Sequence, residues 1–202
     1  GKGESELLGI WVGTGIGGGL VLNDRLYTGR HNTAGEVGRG IVLPWAPPGQ
    51  GSVEQVCSRT GMVETITRLL RSGRTSVISG FVSGDLSKVD NRILARAWKK
   101  KDPLATEVIE HAAMVLGTSI GGIVTLLSLG RVVLGGGVTQ GLGRPWVEAV
   151  RRAARRVVFP DILRTVEIVP SELGQDAGTI GAALLAVGKA SAPKPRPRTK
   201  KK

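Results

Sequence analysis

Leu8 to Gly40 reads LGIWVGTGIGGGLVLNDRLYTGRHNTAGEVGRG, and the fold turns on how this stretch is parsed. An apolar run, Leu8 to Val12, ends in Gly13-Thr14-Gly15, and a second apolar run follows at once from Ile16 to Leu22. Asn23-Asp24 supplies a turn, because both residue types tolerate the positive φ that tight hairpins need, and Arg25-Leu26-Tyr27 returns before Gly29. The pattern predicts a β-hairpin that continues into a further strand.

Gly13 to Gly15 falls where the first strand gives way to the second. Glycine lets backbone N–H groups approach a ligand closely, a concave run of such amides binds anions, and Thr14 adds a hydroxyl. The stretch therefore reads either as a phosphate cradle or as a tight bend between strands. Gly13-x-Gly15-x-x-Gly18 also satisfies the dinucleotide spacing, but that motif must open a helix and here it opens the β-like run from Ile16. No Gly-x-x-x-x-Gly-Lys-Ser/Thr sequence occurs, which removes the P-loop.

The 202 residues are 41% hydrophobic and only 3% aromatic, which suits one α/β domain with an aliphatic core. A lone cysteine, Cys57, cannot form an internal disulfide, and without a secretory signal a cytoplasmic setting is expected. The tail from Lys189 to Lys202 holds seven of the twelve net positive charges, with Pro193, Pro195 and Pro197 interleaved. It is expected to be disordered and apart from a domain over 1–188, and it offers the one evident route to nucleic acid within the chain.

Further along, Ile41-Val42-Leu43 reads as a short strand stopped by the Pro44-to-Gly49 loop, and Gly61 to Leu70 as a helix. Ser72 to Ser83 carries no clear pattern. Ser87 to Lys100 reads as a basic helix, and Asp102-Pro103 as the cap and first residue of the next. That helix, Leu104 to about Leu129, includes an uncharged run from Ala112 to Gly130 that is long enough to span a membrane. Its small residues and its direct passage into the strand Arg131 to Leu134 favour a buried core helix, so no membrane is expected. Gly135-Gly136-Gly137 then precedes a helix from Pro145 to about Val158 with arginines at 151, 152, 155 and 156. A last strand, Thr165 to Val169, leads to a helix after Asp176 whose Ile180, Leu184, Leu185 and Val187 should face inward.

Val12 to Arg39 also resembles the signature of the ROK family (repressor, open reading frame, kinase), from Gly-apolar-Gly-x-Gly to Gly35-Glu36-Val37-Gly38-Arg39. Gly51-Ser52-Val53-Glu54, Val132 to Val138 and Glu172 to Ala183 are similar to later motifs of that family, in the family's order. The resemblance implies an α/β chain with the actin-like ATPase (ribonuclease H-like, sugar-kinase) fold, as one lobe incomplete at its N-terminus. It implies an ATP-dependent sugar kinase, hexose-directed and glucokinase-like, with ATP and magnesium as cofactors. Gly13, Thr14 and Gly15 would then cradle phosphates, Gly135, Gly136 and Gly137 would meet the nucleoside, and Glu36 and Glu54 would accept hydrogen bonds from sugar hydroxyls.

The same resemblance implies two losses. The family's zinc-binding loop carries three cysteines and a histidine; the corresponding loop here has no cysteine, and Arg39 stands at the histidine position, so no zinc is expected. Arg39 is expected to take over as a brace, pairing with Glu54 or with carbonyls of the 44–51 loop. Its worth would be roughly 1–3 kcal/mol if partly buried and much less if exposed. The family's catalytic aspartate precedes the first hairpin and has no counterpart in this chain, so no catalytic residue is assigned and the isolated chain is expected to be inactive. The opening Gly1-Lys2-Gly3-Glu4 lacks a methionine and suggests a fragment or a processed chain. A sugar-sensing portion of a repressor and a non-catalytic binding remnant stay open beside the kinase, nucleic acid being reached in the former through an upstream domain. A homo-oligomer is expected.

Overall fold

The chain folds from the hairpin outward. β1 (Leu7–Val12) turns through Gly13 to Gly15 into β2 (Ile16–Leu22), in antiparallel register with Leu8 opposite Leu20 and Val12 opposite Ile16. Asn23 and Asp24 both adopt positive φ, 53° and 60°, and the two-residue turn sends β3 (Arg25–Tyr27) back along β2. This is a computed structural model, and it describes residues 1–191; the tail from 192 lies outside the described residues.

After a loop segment, helices dominate from Val53 to Leu127. Ser52 caps α1 (Val53–Cys57) in a capping box with Gln55, and Ser58 caps α2 (Arg59–Arg71) by accepting from the Gly61 amide. α3 (Val77–Phe81) arises in the Ser/Gly stretch that carried no clear pattern. α4 (Asn91–Lys99) starts later than the expected Ser87, because Asp90 caps it through the Arg92 and Ile93 amides while Asp85 closes its own short turn over Leu86–Lys88. α5 (Pro103–Leu127) leads into β4 (Arg131–Gly135), and α6 (Gly136–Leu142) begins on the following residue. The sequence reading placed no helix before Pro145; α6 occupies that gap, and α7 (Arg144–Val157) follows it. β5 (Glu167–Pro170) completes a sheet of order β3-β2-β1-β4-β5, in which β1, β4 and β5 are mutually parallel.

The expected strand over Ile41 to Leu43 does not form. Ile41 makes a single bridge to Ser52, and the Val42 and Leu43 amides both donate to the Gly51 carbonyl, so no ladder can propagate.

Alternation along the strands separates the two sheet faces. Leu8, Ile10, Val12, Val132, Leu134 and Ile168 point to one face and are buried in the main core with α1, α5, α6 and α7. On the other face the Trp11 ring lies across Gly9 and Gly135, filling the room that two absent side chains leave.

α5 is the one helix among the described residues long and apolar enough to cross a membrane, and half of its apolar window is buried inside the fold. It packs against α7 at a notch: a side chain at Gly117 would run into the Val150 carbonyl, and one at Gly121 into Val157 and the Ala154 carbonyl. At its start the buried Asp102 carboxylate accepts from the Ala105 amide (2.9 Å), the Val77 amide (3.0 Å) and the Ser76 hydroxyl (2.8 Å), tying α3 to α5. Burial alone would raise its pKa; these hydrogen bonds to the ionised form outweigh burial and hold it below the ordinary carboxylate value. Cys57 is the reverse case. Burial pushes its thiol up to about 12, against a hydrogen bond with the Leu116 backbone, which leaves it unreactive.

These elements belong to one compact unit over residues 1–171, and the chain from Glu172 forms a second. The second unit holds a short turn, Gly174–Asp176, and α8 (Ala177–Ser191). Ile180, Leu184, Leu185 and Val187, expected to face inward, are 39% to 68% exposed. One helix and one turn cannot enclose a core of their own. α8 also takes in 189–191, the first three residues of the expected tail.

Candidate functional site

β1 and β4 run parallel, so their C-terminal ends lie side by side, and each ends in glycine: Gly13 to Gly15 after β1, Gly135 to Gly137 at the end of β4. Gly135 pairs with Trp11, and Gly136, at φ +86°, packs so closely on Val12 that a side chain there would strike the Val12 backbone. The two motifs, more than 120 residues apart, thus meet at one edge of the sheet. That is where open α/β sheets bind ligands, outside the carboxyl ends of their strands. Gly137 is the second residue of α6, and the missing side chain makes room for the Asn91 amide at the start of α4.

The Gly13–Gly15 turn is held from both sides. On one side Glu54 accepts from the Ile16 amide at 2.7 Å and lies directly against Gly15, where a side chain would meet its carboxylate at 2.5 Å. On the other, the first turn of α2 grips the loop. The Arg59 amide donates to the Gly13 carbonyl (2.8 Å), the Thr60 hydroxyl to the Thr14 carbonyl (2.8 Å), and the Arg59 guanidinium to the Thr14 hydroxyl (2.8 Å). The Gly13 amide itself donates to the Gly15 carbonyl at 2.9 Å.

Glu36 is placed by glycines. Gly35, at φ +93°, crosses Gly18 of β2 so closely that a side chain on either would lie 2.7 Å from the other's carbonyl, and Gly38 packs on the Ile16 carbonyl. This crossing fixes a short 3-10 turn, Val37–Arg39, over β2, with Glu36 at its N-cap position. The Glu36 side chain is exposed and makes no capping bond. From the same turn Arg39 reaches towards Glu54, Nη2 to Oε1 at 3.7 Å, with the arginine side chain 73% and the glutamate 27% exposed.

The loop between them is tied at its base by main chain: Val53 N–H to Gly40 O at 2.9 Å, then Val42 and Leu43 N–H to Gly51 O at 2.9 and 3.0 Å. Gly51 has φ +78°, and a side chain there would strike the Leu43 carbonyl. No group of three or more His, Cys, Asp or Glu able to hold a metal occurs among the described residues.

Of the residues singled out from the sequence, Gly13, Thr14, Gly15, Glu54 and Arg39 form one continuous wall, with Gly135, Gly136 and Gly137 beside it and Glu36 on its rim. The sequence reading missed Arg59 and Thr60. The expected helix began at Gly61, two residues too late to include them; Ser58 is the observed N-cap, and nothing local marked that the first turn of α2 would meet Thr14.

Comparison with known proteins agrees with this geometry. A ROK family profile matches residues 1–189. The chain is 30% identical over 190 residues to a glucokinase of Thermotoga maritima, covering 91% of this chain and 58% of that protein. It is 34% identical over 179 residues to N-acetylmannosamine kinase of Haemophilus influenzae, covering 89% and 54%. Among solved structures, a ROK glucokinase from Streptomyces griseus in complex with glucose and AMPPNP superposes with a TM-score of 0.80 at 26% identity, over 91% of this chain and 61% of that one. A ROK hexokinase from Thermus thermophilus gives 0.78 at 30%, over 95% and 60%. The chain therefore spans under two thirds of the length of these relatives. Its sheet order and these matches show the α/β fold of actin-like ATPases and sugar kinases. The wall of paired glycine turns and docked glutamate, together with a family match over nearly the whole chain, makes this chain a member of the ROK family.

Proposed function

We propose that this chain is the part of an ATP-dependent, glucokinase-like hexose kinase that holds the nucleotide and one side of the sugar, and that acts in the cytoplasm. The observation that carries the reading is the meeting of Gly13–Gly15 and Gly135–Gly137 at the ends of β1 and β4, with Glu54 against the first turn. The relatives add support: the Streptomyces griseus structure holds glucose and AMPPNP. In this reading Thr14 and the amides around it receive the phosphates, and the backbone of the Gly135–Gly137 turn, whose missing side chains let Trp11, Val12 and Asn91 pack close, meets the nucleoside. Glu36 and Glu54 accept hydrogen bonds from sugar hydroxyls, for which ionised carboxylates are suited as acceptor-only groups.

Magnesium would travel with the nucleotide phosphates, as it commonly does, since the described residues form no carboxylate cage for it. The zinc of related proteins has no donor set here, with arginine at 39 and no cysteine between 40 and 56. Positioning and charge neutralisation carry most of phosphoryl transfer. The hydroxyl's proton acceptor is the component this chain does not supply, so binding without turnover is the expected behaviour of the isolated chain. Calorimetry on the purified chain should show magnesium–AMPPNP binding, and a coupled assay with ATP and glucose should show no turnover above an Glu36→Ala control. Absence of AMPPNP binding would overturn the reading of the glycine turns, and turnover would overturn the reading of an absent base.

A further inference from the structure

We propose that Arg59 binds the terminal phosphate of the nucleotide, an assignment that rests on the nucleotide reading of the glycine turns. Three bonds from the first turn of α2 fix this residue on the Gly13–Gly15 loop: its own amide to Gly13, the neighbouring Thr60 hydroxyl to Thr14, and its guanidinium to the Thr14 hydroxyl. A guanidinium carries five donors in a rigid fork, and Thr14 takes one. No carboxylate pairs with Arg59 among the described residues.

That lack of a pairing is informative because a carboxylate lies on the same turn. Glu54 sits against Gly15, yet it takes the Ile16 amide and faces Arg39. The turn is thus flanked by an acceptor on its Gly15 side and by an unneutralised donor fork on its Thr14 side. The acceptor suits a sugar hydroxyl and the fork suits a phosphate, so donor and acceptor are already sorted for the two halves of a transfer reaction. Arg59 is also the first residue of a thirteen-residue helix, whose N-terminal dipole favours an anion at the same place.

Arg59 sits at the helix start and its main-chain bond to Gly13 survives any side-chain change, so substitution should leave the fold intact. AMP, magnesium–ADP and magnesium–AMPPNP would be titrated by calorimetry into the wild-type chain, Arg59→Ala and Arg59→Lys, with circular dichroism melting as the fold control. Loss of a charge-assisted contact to the terminal phosphate predicts AMPPNP binding weakened about tenfold or more in Arg59→Ala, with AMP binding within about twofold of wild type. Arg59→Lys should fall between, because an ammonium keeps the charge and loses the fork. ADP weakened as much as AMPPNP would move the contact to the β-phosphate and overturn the assignment as stated. AMPPNP binding unchanged in Arg59→Ala would overturn it, and so would AMP and AMPPNP weakened alike, which would mark a purely structural hold on the turn. A wild-type chain that binds neither AMP nor AMPPNP would bring down the nucleotide reading itself, and this assignment with it.

Discussion

At the seam between α5 and α7, absent side chains at Gly117 and Gly121 admit the backbone of a neighbouring helix; at the site wall, absent side chains at Gly18, Gly35 and Gly38 admit one loop onto a strand. The first set is buried among Val150, Ala153, Ala154 and Val157 and serves packing. The second ends in Glu36, exposed and without a capping bond, which the proposed function makes a sugar ligand. On the proposed function, the same residue type separates a part whose failure would be read as instability from a part whose failure would be read as lost binding. Side-chain polar bonds divide likewise: buried and convergent at Asp102, exposed and single at Arg39.

The seam should break hardest. Alanine in place of glycine inside a helix ordinarily gains about 1 kcal/mol. At Gly117 a methyl would meet the Val150 carbonyl and the Ala153 side chain, and backbone cannot move aside cheaply. Gly117→Ala should therefore lose about 3 kcal/mol, a drop of roughly 6–12 °C in melting temperature for a chain of this size. Gly122, five residues on, is exposed with nothing within 4 Å, so Gly122→Ala should gain about 0.5–1 kcal/mol. Thermal melts of the two variants should move in opposite directions; a common direction would dissolve the packing argument.

Asp102 comes next. Asparagine can still cap α5 with its one remaining oxygen, but its amide NH2 then faces the part-buried Val77 N–H, donor against donor, so Asp102→Asn should lose about 1–2 kcal/mol at neutral pH. The sign of the pH dependence follows from its lowered pKa. A carboxyl held below its unfolded value of about 3.9 contributes fully above that pH and loses its contribution as the pH falls through the folded value. The stability gap between wild type and Asp102→Asn should stay constant above about pH 5 and narrow on acidification. A gap that widens in acid would show that the carboxyl is held in its neutral form.

The hairpin and the Asp102-Pro103 helix start were legible in the sequence because their chemistry is local: positive φ at Asn23 and Asp24, a capping carboxylate followed by a proline. α6 was not legible, since Gly136 to Leu142 contains three glycines and its helix is supported by contacts of Gly137 and Gly141 with Asn91, nearly fifty residues earlier. The strand expected at Ile41 to Leu43 had the right residue types, but its amides converge on Gly51 across a loop closure that no local pattern shows. At the candidate site, resemblance to a family signature pointed to Glu36, Glu54 and the glycines. Arg59 escaped because a helix-start arginine looks like any solvated cation until the fold brings it to Thr14, 45 positions away.

The smallest effect is expected where the sequence suggested a brace. Arg39 does face Glu54, but at 3.7 Å and with three quarters of its side chain in water, so solvent and salt screen the pair. The loop that it was expected to hold is already closed by the Gly40–Val53 bond and by two amides on Gly51, none of which involves the guanidinium. Arg39→Ala should therefore cost under about 0.5 kcal/mol, a change in melting temperature of no more than about 2 °C. A fall of 5 °C or more would place the tie in the guanidinium and remove the distinction between a loop closed by main chain beside Glu54 and a side-chain tie at Asp102. The distinction would sharpen if Arg39→Ala leaves the melt unchanged but alters the salt dependence of sugar binding. Arg39 would then act on the charge of Glu54 and on nothing structural.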